Sequence, residues 1–196
     1  GSPAPRSLAR LIRSLCNHGR NPIYFSIDDD NNLRSRRFAR IVRSRFQFLY
    51  PGYSYRLTEM EWAIGLALLE TDLVASIRQR QQNAAILKRA LADLEDELQL
   101  PSVRPESEHA FMFFPLVLRR RRKDSLVIFL ERHGVETRDL MPIVSQPLYR
   151  ASFSFPRSRF PISWRLVERG LCLGCHPDLT RSHLDRVSTL IHRFFQ

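Results

Sequence analysis

Cys172-Leu173-Gly174-Cys175-His176 is the run whose spacing most directly suggests chemistry, because C-x-x-C-H is the pattern that attaches c-type haem. Haem attachment also asks for a second axial ligand and a helix around the motif. Here the run looks like the end of a buried strand entering a turn at Pro177-Asp178. It therefore reads as two small buried cysteines with a histidine at a strand end. No second Cys/His pair at ligand spacing accompanies it, so zinc is not expected and no metal ligand is assigned. Cys16 is the third cysteine, and three are too few for a disulfide scaffold. The histidines His18, His109, His133, His176, His183 and His192 show no Ser-His-Asp or Cys-His spacing. Amine chemistry is limited to Lys88, on the exposed face of a long helical pattern, and Lys123, in a charged loop. The chain has no Gly-rich phosphate loop, and no catalytic residue is assigned.

The formal net charge is +11, and nearly all of the basic residues are arginine. Such a balance raises nucleic acid as a partner. The arginines are scattered, however, and the one dense block, Arg119 to Lys123, lies between an apolar strand and a helix start. Hydrophobic residues make up 43% of the chain, which argues for a packed core and against disorder. No apolar run approaches the roughly 20 residues that a membrane-crossing helix needs. Gly1-Ser2 reads as a cloning remnant, and no leader pattern follows, which favours the cytoplasm.

These residues must be carried on elements that the patterning outlines. Ser7 to Asn17 reads as a helix with Ser7 as N-cap, Leu8, Leu11, Ile12 and Leu15 as its apolar stripe, and Gly19 ending it. Residues 20–33 read as a polar loop, and Leu33 to Phe48 as an Arg-rich helix that packs on something outside the chain. After Pro51-Gly52, Thr58-x-x-Glu61 is a capping box for a helix bearing Trp62, Ile64, Leu66, Leu68 and Leu69. That helix is apolar nearly all round and should be buried. A second helical pattern runs from about Asp72 to Glu97. Strands are expected at Leu98–Pro101, Phe111–Leu118, Val135–Arg138 and Leu171–Gly174, with helices at Asp124–His133, Pro161–Arg169 and after the cap Thr180. The fold class is α+β: a helical segment over 3–97, then a small domain over 98–196.

Several of these segments together resemble the C-terminal half of the DegT/DnrJ/StrS group of pyridoxal-phosphate (PLP) sugar aminotransferases. Residues 8–20 resemble the segment after the group's PLP lysine. Gly52-Tyr53-Ser54-Tyr55-Arg56-Leu57-Thr58-Glu59 with Ala63-Ile64-Gly65 resembles its G-Y-N-x-R-M/L-T-E…A-I/L-G. Gly134 to Arg138 resembles G-I-x-T-R, Gln146-Pro147-x-Tyr149 resembles Q-P-x-Y, and Phe160-Pro161 with Glu168-Arg169 resembles the F-P helix. His176-Pro177-Asp178-Leu179-Thr180 resembles H-P-x-L-T.

The resemblance implies a fold type I enzyme working as a homodimer. It would move an amino group, usually from glutamate, to a keto carbon of a nucleotide-linked sugar. The small domain of such enzymes has a short, mostly antiparallel sheet, and the helical segment would meet the dimer partner and a large domain that this chain does not contain. Ser54 and Arg56 are the implied cofactor-binding residues, facing the PLP phosphate of the partner subunit, and Thr137 and Arg138 would lie near the substrate. Ser54 stands where the group has asparagine, and Leu140 and Val144 stand where many members carry histidine. Neither lysine lies in the context of the PLP lysine, so the chain alone is expected to hold no cofactor and to be inactive. Two other readings stand beside this one: a catalytically dead homologue or detached domain with a binding or regulatory role, and a basic nucleic-acid-binding domain.

Overall fold

The computed structural model describes residues 5–23, 36–55, 58–140 and 142–196. The described helices are α1 (Pro5–Cys16), α2 (Arg36–Ser44), α3 (Glu59–Thr71), α4 (Leu73–Ala90), α5 (Asp124–Arg132), α6 (Pro147–Ser152), α7 (Pro161–Arg169) and α8 (Arg181–Phe195). The strands are β1 (Leu98–Gln99), β2 (Phe113–Leu118), β3 (Thr137–Asp139) and β4 (Gly170–Gly174). The chain divides into two compact units, Gly1–Glu61 with Met141–Trp164, and Trp62–Leu140 with Arg165–Gln196. The boundary expected at 97/98 falls inside the second unit, because Ala84, Leu87 and Leu91 belong to the same buried cluster as the sheet.

In the second unit the four strands form one sheet in the order β1-β2-β4-β3, antiparallel at every pairing. The fold is thus α+β with a short antiparallel sheet. Alternation along β2 buries Phe114, Leu116 and Leu118, which meet Leu171 and Leu173 of β4. Leu126 and Leu130 of α5 and Leu184 and Ile191 of α8 close the core. Thr180 caps α8 by accepting a hydrogen bond from the His183 N–H.

The first unit is held more by backbone hydrogen bonds than by a large core. Its buried apolar residues include Ile41, Val42 and Val144. Helix α1 starts at Pro5, two residues before the Ser7 cap expected, consistent with proline's preference for the first turn. Its stripe of Leu8, Leu11 and Ile12 is exposed.

Helix α3 departs most from expectation. Its capping box forms as read: the Thr58 N–H donates to the Glu61 carboxylate at 2.6 Å and the Glu61 N–H to the Thr58 hydroxyl at 3.4 Å. Yet none of its residues is buried. Met60, Trp62, Ile64, Leu66, Leu68 and Leu69 are 58–77% exposed. The apolar residues are there, but none of the described residues covers them. The Arg-rich helix expected over Leu33 to Phe48 ends at Ser44 as α2, and Phe46 and Phe48 beyond it are half-buried in the first unit.

Candidate functional site

The segment resembling the group's most distinctive motif is built by two glycines that bring three strips of backbone together. After α1 the chain turns through Gly19 at φ +72°, a left-handed conformation that suits a residue without Cβ. The Gly19 carbonyl accepts from the N–H of Leu49 at 2.8 Å and of Tyr50 at 3.3 Å. Gly52 then lies directly on this turn: a Cβ there would sit 2.0 Å from the Gly19 nitrogen. The next residues run extended beside the end of α1. The Tyr53 N–H donates to the Leu15 carbonyl at 2.7 Å, the His18 N–H to the Tyr53 carbonyl at 2.9 Å, and Ser54 pairs with Asn17 in an antiparallel bridge. The Tyr53 and Tyr55 rings stack at 5.0 Å and 4° on one face. Alternation turns Ser54, which is exposed, to the other.

A second clamp comes from 98 residues away in sequence. The buried Gln146 side chain accepts from the Phe48 N–H at 3.1 Å, and the Leu148 N–H donates to the Phe48 carbonyl at 3.2 Å. Phe48 in turn bridges Arg20, whose carbonyl accepts from the Ser14 hydroxyl at 2.6 Å and whose guanidinium lies 4.5 Å from the Phe46 ring centroid. Gln146-Pro147 is therefore a structural clasp, with Pro147 in the first turn of α6. Neither the glycine contact nor the clasp was legible beforehand. The only signal was two glycines and a Gln-Pro pair in a glycine-poor chain.

Thr137 and Arg138 are neighbours on β3, in the second unit, whereas Ser54 lies in the first. Arg56 lies outside the described residues. Thr137 is buried, and both its N–H (2.6 Å) and its hydroxyl (2.8 Å) donate to one Glu131 carboxylate oxygen. Its hydrogen bonds fix β3 to α5. Arg138 is exposed, 5.4 Å from the Phe113 ring centroid, with Glu136 at 3.4 Å. Val144, at a position where the resemblance has histidine, is buried in the first unit.

The lysines are occupied or remote. Lys123 holds its ammonium 2.6 Å from the Asp139 carboxylate and 3.0 Å from the Gly170 carbonyl, while Lys88 is exposed on the last turn of α4. Both C-x-x-C-H thiols are buried, as read. Burial pushes Cys172 and Cys175 up to about 11, so both stay protonated near neutrality. The Cys175 thiol donates to the Arg80 carbonyl at 3.3 Å, and His176 is an exposed partner of Asp178. In the basic block, Arg121 lies 4.0 Å from Glu97, and Arg122 meets Asp124 at 3.1 Å and Glu168 at 3.4 Å. Much of that block's charge is balanced locally.

Among the described residues, no helix is long and apolar enough to cross a membrane. A sequence profile of the DegT/DnrJ/EryC1/StrS aminotransferase family matches residues 5–192. The lipopolysaccharide biosynthesis protein RfbH of Salmonella typhimurium is 27% identical over 200 residues, covering 96% of this chain and 45% of that protein. Among solved structures, S. venezuelae DesV matches with a TM-score of 0.62 at 23% identity over 97% of this chain and 44% of its own. Helicobacter pylori PseC, an aminotransferase involved in pseudoaminic acid biosynthesis, matches with a TM-score of 0.62 at 15% identity over 93% of this chain and 44% of its own. The chain thus spans less than half the length of the proteins it matches.

Proposed function

We infer the function from one premise: the chain belongs to the DegT/DnrJ/EryC1/StrS aminotransferase family. We propose that it forms the C-terminal part of a cytoplasmic PLP-dependent aminotransferase acting on a nucleotide-linked keto sugar. On this reading the missing large domain and a second subunit complete the site. PLP, when bound, supplies the electron sink that lets an amino group move between carbons.

The residues of this chain fit one end of that cofactor. Ser54 offers an exposed hydroxyl on a loop locked to the backbone of α1, suited to a phosphate oxygen. Neither lysine is placed to hold the cofactor's carbonyl end, since Lys123 is engaged with Asp139 and Gly170 and Lys88 stands on an outer helix face. Ser54 would orient and hold the phosphate, with Arg56 beside it in sequence. Arg138 would meet the anionic part of the substrate, and Thr137 would set its position through Glu131. The observation that carries the reading is the double-glycine lock, which gives the family motif a rigid backbone whose exposed product is Ser54. The chain alone, incubated with PLP and dialysed, is expected to keep no cofactor absorbance. Co-expressed with the missing half, it should keep the band and transfer an amino group from glutamate to a nucleotide-linked keto sugar. A dialysis-resistant band from the chain alone, lost on Lys88→Ala or Lys123→Ala, would overturn this division of labour.

The bare helix α3 supports the same reading, because contiguous apolar surface of this kind marks an interface. The isolated chain should self-associate in sedimentation velocity at micromolar concentration, and Leu66→Glu with Leu69→Glu should disperse it. A native chain that sediments as a clean monomer at high concentration would count against a missing partner for this face.

A further inference from the structure

We propose that the second unit carries a binding site for a free α-amino acid with an apolar side chain, held between the start of α8 and the turn from α5 into β3. The inference is independent of the aminotransferase reading, and every residue it uses lies within one compact unit.

The site is a cavity of about 330 Å³ that combines apolar walls with side chains of both charge signs. Val135 on the turn, Leu173 of β4, Leu179 ahead of α8 and Val187 on α8 supply the walls. Leu173 is 1% exposed and belongs to the buried cluster, so this wall is fixed by the core. Gly134, at φ +75°, and Gly174 also line the cavity. Nothing lies within 4 Å of a Cβ built at either, so neither position obstructs entry. The volume lies near the lower end of the range for small-molecule sites, which suits one amino acid rather than a peptide.

The charged lining selects the ligand. His183 and Arg186 stand three residues apart on α8 and so share one face. The Arg186 guanidinium donates to the His133 carbonyl at 2.8 Å, which orients it, and no carboxylate among the described residues pairs with it. Its remaining N–H groups suit a carboxylate. The His183 Nδ1 accepts from the Thr180 N–H at 3.3 Å, so the ring's proton sits on Nε2 and adds a second donor. Asp185, on the same turn of α8, does not cancel Arg186, because Arg181 engages it at 2.8 Å. The negative pole is Glu136, whose one ion pair, with Arg138 at 3.4 Å, is exposed and therefore weak enough for an ammonium to compete. A simple anion would leave Glu136 unmatched, and a purely apolar molecule would leave both poles unmatched. A zwitterion with an apolar side chain matches the donors, the acceptor and the walls together.

Calorimetric titration of the full chain tests this. Leucine and phenylalanine would be compared with glycine, which lacks the apolar group, isocaproate, which lacks the ammonium, and isoamylamine, which lacks the carboxylate. Leucine or phenylalanine should bind at least about tenfold more tightly than each of the three. Arg186→Gln should bring leucine down to the level of isoamylamine, and Glu136→Gln should bring it down to the level of isocaproate. Both side chains are exposed, so an unchanged thermal midpoint should accompany each loss. Val187→Phe, which fills the cavity, should abolish binding. Isocaproate as tight as leucine would make this a plain carboxylate site and overturn the proposal, and isoamylamine as tight as leucine would overturn it as an acidic patch. Leucine binding that survives both substitutions would place the ligand elsewhere, and no heat from either amino acid would remove the site.

Discussion

Gly52→Ala should unfold the first unit of this protein, whereas Gly65→Ala should be tolerated. A Cβ at Gly52 would stand 2.0 Å from the Gly19 nitrogen, 2.3 Å from the His18 carbonyl carbon and 2.8 Å from the Gly19 Cα. All three are backbone atoms, so no rotamer change can relieve the clash. Relief requires the two strips to part, which breaks the Tyr53-to-Leu15, His18-to-Tyr53 and Leu49-to-Gly19 hydrogen bonds together. Overpacking of this kind and the loss of those bonds should cost about 3 kcal/mol or more. At Gly65, on α3, nothing lies within 4 Å of an added Cβ, and alanine there should gain up to about 1 kcal/mol of helix propensity. Amide exchange at His18, Leu49 and Tyr53, read with the denaturant midpoint, distinguishes the two. Native-like protection in Gly52→Ala would mean that the close backbone approach does not exist.

Ser54→Ala has the other large expected effect, and it is functional rather than structural. Ser54 is exposed, and its backbone pairing with Asn17 does not depend on the hydroxyl. Removing the hydroxyl should therefore leave that backbone pairing intact, which amide exchange at Tyr53 and His18 checks. In the assembly completed by the missing half, a hydrogen bond from this hydroxyl to a charged phosphate is worth about 1–3 kcal/mol. PLP affinity should fall roughly ten- to a hundred-fold. Ser54→Asn, with an amide that can also donate and reaches further, should match or exceed the native residue. Direct measurement of the PLP dissociation constant for the three forms decides it. An unchanged constant in Ser54→Ala would mean the serine has lost the phosphate, and the non-catalytic homologue would become the leading reading.

The elements that proved legible were those whose signals are local. Helix α7 runs from Pro161 to Arg169 as read, and Thr58 and Thr180 cap the helices they were expected to cap. The buried cysteines of the C-x-x-C-H run were also recognisable, because a strand ending in Gly174 and a turn at Pro177 frame them. Helix α6 was not foreseen: it is six residues long and carries no stripe. Burial of α3 was inferred from its composition, but composition reports a wish for cover and not its presence. The candidate site divides the same way. The motif around Ser54 could be found by its order of residue types. The contacts that give the loop its form, Gly19 on Gly52 and Gln146 on Phe48, join residues 33 and 98 apart, and no local pattern encodes such pairings. Thr137 was expected near the substrate because Gly134 to Arg138 resembles G-I-x-T-R, and only the fold reveals that its hydroxyl is committed to Glu131.

The clasp between Phe48 and Gln146 also sets a timetable. The first unit is assembled from two stretches of chain, Gly1–Glu61 and Met141–Trp164, with most of the second unit threaded between them. At translation rates of about 5–20 residues per second, Phe48 would wait on the order of 5–20 s for its partner to be made. Throughout that interval the loop bearing Ser54 has its glycine turn but not its clasp, while α4, β1 and β2 already have most of each other at hand. Non-local closure of this kind slows folding and prolongs the exposure of sticky segments. Gln146 is nonetheless made before β4, the strand that joins β2 to β3, so the order of synthesis lets the loop bearing Ser54 receive its clasp before the sheet can be completed.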